Sequence, residues 1–145
     1  MAMPENLKTG LRGEQLVARE LIKRGYEIVS ANYRTRLGET DIIAQTKEGV
    51  LCFVEVKTRA PGGEFPPSDA VDREKRARLI NNAAAFIKYT KIEYSRVRFD
   101  IAEVILYDLF TADINIIEDA FGQGALPDGT FKGKNFLSEL KNKFF

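Results

Sequence analysis

Three charged residues interrupt two apolar stretches of the chain. Asp41 lies in "TDIIAQT", and Glu55 and Lys57 lie in "VLCFVEVKTR". The intervening "KEG" predicts a three-residue hairpin loop, in which a type I turn is closed by glycine in the left-handed conformation. In that register Asp41 directly faces Glu55, with Cβ atoms roughly 4.5–5.5 Å apart. Two carboxylates at this separation repel each other unless a cation or a proton lies between them.

Further charged residues lie on faces that should be apolar. Strand alternation places Lys57 on the same face as Glu55, and helical spacing places Glu14 and Lys75 in the apolar stripes of two predicted helices. Each has an ordinary explanation. Glu55 and Lys57 could form an exposed ion pair of little energetic value, Glu14 could pair with Lys57, and Lys75 could extend its ammonium group to solvent. Taken together, an acid on a helix, an opposed Asp–Glu pair and an adjacent lysine favour a functional site.

The composition restricts the chemistry that such a site can perform. The chain of 145 residues contains no histidine and a single cysteine, Cys52. A histidine general base, a Ser-His-Asp triad, a His-bearing zinc site and a thiolate cluster are therefore excluded. Any metal would have oxygen ligands, which selects Mg²⁺, Mn²⁺ or Ca²⁺.

The cytoplasm is the expected location. No apolar run approaches the roughly 20 residues that span a bilayer. The N-terminal "MAMPENLKTG" lacks the apolar region of a signal peptide. A single cysteine cannot form an intramolecular disulfide, as is usual for proteins of reducing compartments.

The distribution of apolar and helix-breaking residues predicts a mixed α/β domain. The predicted elements are a helix over Leu7–Arg24, strands over Tyr26–Thr35, Thr40–Thr46 and Val50–Thr58, a helix over Ser68–Tyr89, and strands over Val97–Leu106 and Asp113–Glu118. This order predicts a single domain over residues 1–120, with an antiparallel hairpin and a parallel pairing made across the second helix. Residues 121–145, with a short helix over Phe136–Lys143, are expected to form an appendage.

The charge is unevenly distributed, although the formal net charge is only +1. Residues 73–98 carry eight basic and two acidic side chains, whereas residues 100–119 carry six acidic side chains and no basic one. A basic face of this kind attracts phosphate groups. A solvated helix beside a solvated sheet edge explains the same distribution equally well.

A known signature combines the residues identified above. "GETD", a spacer of thirteen residues and "EVK" resemble the PD-(D/E)xK nuclease signature. "GLRGEQLVARELIKRGY", "NYRTRLGETDIIA" and "RFDIAEV" closely resemble the YraN-like family of uncharacterised candidate endonucleases, whose pattern is similar to that of archaeal Holliday junction resolvases. Thr40 stands where the name-giving motif has proline, a residue that the superfamily does not require. The resemblance covers roughly Leu7–Ile117 and implies a restriction-endonuclease-like core.

The resemblance also implies a role for each residue of the signature. Asp41, Glu55 and the backbone carbonyl of Val56 would bind Mg²⁺ or Mn²⁺. Glu14 would bind the metal directly, through water or at a second metal site. Lys57 would orient the attacking water and offset charge that develops in the transition state.

The substrate implied by the resemblance is DNA, hydrolysed to a 5′-phosphate product. Lys75 would contact the scissile phosphate. No base-reading module is recognisable, which favours structure-selective cleavage of branched or junction DNA. A homodimer is expected by analogy with resolvases, which cut two strands symmetrically. The other candidate contacts to the DNA backbone are Lys8, Arg12, Arg34, Arg36, Arg59, Arg73, Arg76 and Arg78.

Two alternative functions compete with a nuclease. The first is a non-catalytic nucleic-acid-binding module on the same fold. The presence of Glu14, Asp41, Glu55 and Lys57 together disfavours it, because loss of turnover usually removes at least one such group. The second is a protein-interaction domain that uses the acidic surface of residues 100–119. That alternative gives no reason for the opposed carboxylates.

Overall fold

The computed structural model describes residues 5–63 and 73–120, with backbone alone for residues 5–8 and 73. The elements, in chain order, are α1 (Glu5–Lys23), β1 (Glu27–Thr35), β2 (Gly38–Gln45), β3 (Val50–Arg59), α2 (Arg73–Thr90), β4 (Arg96–Leu106) and β5 (Ala112–Ile117). The predicted α/β class and element order are confirmed. The predicted start of the second helix at Ser68, the appendage of residues 121–145 and the helix Phe136–Lys143 lie outside the described residues. None of the described helices has the length and apolar character needed to cross a membrane.

The five strands form one mixed sheet in the order β1-β2-β3-β4-β5. β1 with β2, β2 with β3, and β4 with β5 pair antiparallel, whereas β3 and β4 pair parallel. The connection between the two parallel strands contains α2, as a parallel pairing requires. The parallel pairing predicted across the second helix is therefore confirmed.

The turn between β2 and β3 sets the predicted register. Gly49 has a φ of 86° and donates its N–H to the Thr46 carbonyl over 3.0 Å. Glycine adopts this conformation without the steric cost that a side chain would bring. The ladder then runs from Gln45 opposite Leu51 to Ile42 opposite Val54. One further step in this register brings Asp41 to Glu55.

The two helices pack on opposite faces of the sheet, and β3 contributes to both cores. Leu51 and Phe53 belong to the cluster that contains α2, whereas Cys52 and Val54 belong to the cluster that contains Val17 of α1. Because side chains alternate along a strand, Glu55 and Lys57 continue the α2 face. The charged end of β3 is therefore a continuation of an apolar core face.

α1 approaches the carboxyl end of β3 closely at a glycine. A Cβ at Gly13 would overlap Thr58 Oγ1 and would contact the rest of the Thr58 side chain. A residue with a side chain would therefore push the helix away from the sheet. The contact holds the N-terminal half of α1, which contains Glu14, against the carboxyl end of β3.

Candidate active site

Asp41 lies where the β2–β3 ladder ends and its carboxylate occupies the opening. Asp41 Oδ2 accepts a hydrogen bond from the Val56 N–H over 2.8 Å. Burial of the carboxyl raises the pKa of Asp41 to about 7, despite the opposing effect of this hydrogen bond. The charges of Glu14 and Glu55 add to the increase. A group with this pKa holds a proton or a cation near neutral pH.

Glu55 faces α2 and pairs with a lysine of that helix. Lys75 Nζ lies 2.7 Å from Glu55 Oε1, and the exposed fractions of the two side chains are 50% and 14%. Glu55 therefore pairs with Lys75 and not with Lys57, and the alternative of a Glu55–Lys57 ion pair is wrong in this structure. Glu55 Oε2 is buried and has no hydrogen-bond partner within the described chain.

A cavity of about 260 Å³ opens between the end of the hairpin and α2. Because the hairpin and the helix contribute carboxylates and cations to the same small volume, a phosphate and its counterions fit the composition of its wall. Lys57 lies on the same face of β3 but is not among the lining residues. Those residues are Gly38, Glu39, Asp41, Glu55, Lys75, Arg78 and Leu79.

Glu14 approaches Asp41 from the α1 side of the sheet. Burial raises the pKa of Glu14, whereas hydrogen bonding to the side chains of Asn32 and Asp41 lowers it. Asn32 has a φ of 52° and is skipped in the β1–β2 ladder, between Ala31 opposite Ile42 and Tyr33 opposite Thr40. Asparagine is among the residues that tolerate this left-handed conformation. The irregular strand position thus brings a hydrogen-bonding group to the acid.

The donors at this site suit a hard divalent cation. The Val56 carbonyl adds a third oxygen donor to the carboxylates of Asp41 and Glu55. A strand residue directs its N–H and C=O to the same side, and the Val56 N–H is directed to Asp41. A cation would also satisfy the unpartnered Glu55 Oε2. Over residues 5–63 and 73–120, no three Cys, Asp or Glu side chains are close enough to enclose a metal by themselves. The donor set matches Mg²⁺, which is commonly bound by one or two carboxylates together with waters and substrate phosphates.

Several of the predicted DNA-contacting residues lie beside this cavity. Lys75 and Arg78 line it, and Arg78 pairs with Glu74 of the preceding turn over 2.6 Å. Arg34 pairs over 3.0 Å with Glu39, which also lines the cavity. The basic residues therefore flank the carboxylates on both the β1–β2 and the α2 sides.

The remaining basic residues are more widely distributed. Arg36 is exposed in the β1–β2 turn, Arg59 is half-buried at the end of β3, and Arg76 is half-buried on α2. Arg12 contacts the connection between β4 and β5 instead of the cavity. The side chains of Lys8 and Arg73 lie outside the described residues.

A buried polar network supports the site, although sequence patterns did not indicate it. Asn82 of α2 is fully buried. Its amide donates to Thr40 Oγ1 over 3.1 Å and to the Tyr33 carbonyl over 3.2 Å, and it accepts from Thr35 Oγ1 over 2.6 Å. Thr40 stands in the position of the motif's proline, directly before Asp41. Its hydrogen bond to Asn82 therefore links this part of β2 to α2. A single asparagine in a helix or a strand carries no periodic signal, so neither Asn82 nor Asn32 could be identified from spacing.

Comparison with known proteins places the chain in a family. The model of "Uncharacterised protein family UPF0102" matches residues 13–104. The chain belongs to this family. It is 39% identical over 119 residues to a UPF0102 protein of Rhodococcus opacus, covering 82% of this chain and 100% of the relative. It is 41% identical over 118 residues to one from Alkaliphilus oremlandii, covering 80% and 99%. For one from Trichlorobacter lovleyi the values are 38% over 116 residues, 80% and 91%.

The UPF0102 match spans the whole candidate site. Its 92 residues, 13–104, begin at the close contact between α1 and β3 and end within β4. All the acidic and lysine residues of the signature lie inside it. The connection between β4 and β5 and the contacts made there by Arg12 lie at or beyond its ends.

Proposed function

We propose that this protein is a Mg²⁺- or Mn²⁺-dependent endonuclease that hydrolyses DNA phosphodiester bonds. The observation that carries the proposal is the shared cavity of Asp41, Glu55 and Lys75 at the point where the β2–β3 ladder opens. Two acids and a cation at an interrupted ladder are costly for a purely structural sheet. The same groups are useful where a phosphate and a divalent cation must be bound together.

The proposed metal ligands are Asp41, Glu55 and the Val56 carbonyl, with Glu14 in reach of Asp41. The bound cation would polarise a phosphoryl oxygen and offset charge in the transition state. Its binding requires that Asp41 lose its proton and that Glu55 be shared with or released from Lys75. We propose that Lys75 also contacts the scissile phosphate.

The chain's own residues would position the reacting groups. Lys57, two residues after Glu55 on the same strand face, would orient a water for in-line attack and stabilise charge on the phosphoryl oxygens. Attack forms a bond between the water oxygen and phosphorus and breaks the bond from phosphorus to the 3′ oxygen. The 3′ oxygen takes up a proton, and a 5′-phosphate remains. Asn32 would hold Glu14 beside Asp41 throughout.

The arrangement of basic residues supports binding of the DNA backbone on either side of the cavity. Arg34 and Arg78 carry charges that are exposed and paired only with surface acids, and such pairs are weak enough to exchange for phosphates. Contacts of this type position a duplex without reading its sequence. We therefore propose that the DNA is not selected by its base sequence. From the resemblance to resolvases, we further propose that the substrate is branched and that a homodimer cuts it.

A non-catalytic nucleic-acid-binding module is the second candidate, and one observation favours it. Glu55 is neutralised by Lys75, and Asp41 accepts the Val56 N–H. The site is therefore held together by the protein's own groups. Such a protein would bind DNA with a salt-dependent affinity and would not cleave it.

Cleavage assays on defined DNA structures test the proposal. Purified protein is incubated with labelled four-way junction, flap, single-stranded and duplex DNA, with Mg²⁺, with Mn²⁺ and with chelator. We expect cleavage that chelator abolishes and that Asp41→Asn and Glu55→Gln remove. Glu93→Gln, an exposed acid outside the cavity, is the matched control and should cleave normally. Binding of the junction without cleavage would support the binding module, and neither binding nor cleavage would contradict both candidates.

A further inference from the structure

The connection between β4 and β5 presents two apolar side chains to solvent. Leu109 is 58% exposed and Phe110 is 85% exposed. Exposed side chains of this size on a tight turn do not stabilise the fold through burial. The two side chains are therefore open to contact with a binding partner.

The turn that carries Phe110 is firmly held. Asp108 Oδ1 accepts the N–H groups of Phe110 and Thr111 over 2.7 and 2.8 Å, and the Tyr107 N–H donates to the Thr111 carbonyl over 2.9 Å. These backbone hydrogen bonds also lower the pKa of Asp108. A ring presented on a fixed turn loses little conformational entropy when it binds.

α1 connects this turn to the candidate active site. Arg12 Nε donates to the Leu109 carbonyl over 2.5 Å, and its guanidinium carbon lies 5.9 Å from the centre of the Phe110 ring. Two residues further along the helix, Glu14 lies beside Asp41. The turn follows the carboxyl end of β4, which lies next to the carboxyl end of β3. With a rise of about 3.3 Å per residue, the end of β3 is roughly 13 Å beyond Glu55.

We propose that Phe110 and Leu109 form a stacking platform for an unpaired base of the DNA substrate. The inference rests on the proposed action on DNA and gives a physical basis for selecting branched structures. Bases exposed at a branch can stack on an aromatic ring, whereas bases inside a duplex cannot be reached in this way. Arg12 supplies a cation beside the ring.

The size of the apolar patch favours a single base over a protein partner. Asp108 and Asp113 lie beside the turn, and Asp113 accepts the Tyr107 hydroxyl over 2.6 Å, so the backbone phosphates next to a stacked base would have to lie on the Arg12 side of the ring. A stable protein interface needs about 800 Å² from each partner. Two side chains on a turn, at up to roughly 150–250 Å² for the aromatic one, fall well short of that area.

Equilibrium binding in the presence of chelator tests this platform independently of cleavage. The probes are a fully paired duplex and a forked duplex of the same length with unpaired arms, followed by fluorescence anisotropy. Phe110→Ala should bind the forked probe roughly 5- to 100-fold more weakly and the paired probe almost unchanged. Phe110→Trp should retain the preference for the forked probe. The matched control is Tyr89→Ala, which removes a ring that is 87% exposed at the far end of α2 and should change neither affinity.

Each other outcome would overturn the inference. If Phe110→Ala binds the forked probe as tightly as the unsubstituted protein does, the platform is excluded. That result does not bear on the proposed nuclease, which the cleavage assays test. An equal loss on both probes would indicate a general contact without selectivity for unpaired bases. If sedimentation shows that Phe110→Ala only dissociates a dimer, a second copy is the occupant. If the unsubstituted protein binds neither probe, both the platform and the proposed function fail. Unchanged thermal melting would show that the variants are folded.

Discussion

The side chain of Asp41 takes the place of a main-chain partner for Val56. Its Oδ2 accepts the Val56 N–H over 2.8 Å. The last regular pair of the β2–β3 ladder is Ile42 opposite Val54, so Asp41 is the first residue of β2 outside the ladder. The two strands therefore separate where two acids face each other. The opening accommodates a carboxylate and leaves the Val56 carbonyl directed towards the same gap.

Asp41→Asn should stabilise the protein at pH 8 and have little effect near pH 4. The pKa of Asp41 is raised from 3.8 to about 7, so between these values the folded state holds a proton that the unfolded state has lost. The free energy of unfolding therefore falls as pH rises through this window. The difference between variant and unsubstituted protein should grow to at most roughly 4 kcal/mol above pH 7. Asparagine can still accept the Val56 N–H.

Urea denaturation at pH 4.5, 6 and 8 measures this difference. Glu93→Gln, an exposed acid, is the control and should show no comparable trend. A difference between Asp41→Asn and the unsubstituted protein that is independent of pH would mean that Asp41 is ionised throughout.

Lys75→Gln should destabilise the metal-free protein by about 1–2 kcal/mol, because it leaves the largely buried Glu55 without its cation. The estimate is below that for a fully buried pair, since half of the Lys75 side chain is exposed. Excess Mg²⁺ should then raise the melting temperature more in Lys75→Gln than in the unsubstituted protein, where lysine competes for Glu55. Thermal melting with and without Mg²⁺ checks this, with the exposed Lys88→Gln as control. An identical Mg²⁺ response in both proteins would argue against Glu55 as a metal ligand.

Gly13→Ala should destabilise the protein by about 1–3 kcal/mol, the usual cost of overpacking, although alanine is the better helix former. The added methyl group would overlap Thr58 Oγ1 and move α1 away from β3. Adding Thr58→Ala should recover part of the loss, because it removes the overlapping atom. Chemical denaturation of the two single variants and the double variant gives the coupling energy. Additive losses would show that Gly13 and Thr58 do not constrain each other.

Asn32 can be tested by separating its backbone conformation from its side chain. Asn32→Gly should leave stability nearly unchanged, because glycine adopts the positive φ freely. Asn32→Ala should cost about 1–2 kcal/mol, the penalty for a side chain in the left-handed region. Both variants should lower cleavage by a similar factor if the side chain holds Glu14 in place. Normal cleavage by Asn32→Gly would show that Glu14 needs no support from this residue.

Much of the fold follows from local sequence patterns. The period of the apolar residues indicated each of the seven described elements, and "KEG" set the hairpin register that the ladder from Gln45 to Ile42 confirms. The same register indicated that Asp41 and Glu55 meet. Glu14 and Lys75 stand out in the sequence because a charge in an apolar stripe is unfavourable unless it has a partner.

The identity of those partners depended on the tertiary structure. Spacing along the chain cannot show that Lys75, and not Lys57, pairs with Glu55, because the choice depends on how α2 crosses the sheet face. Asn82 and Asn32 acquire their roles from groups that are distant in sequence or from an irregular strand conformation, and neither leaves a periodic trace. Residue type and periodicity are local properties, and they are enough to identify the residues that could do chemistry. Only the packing of α1 and α2 on opposite faces decided which of them meet, because burial and long-range contacts exist only in the folded chain.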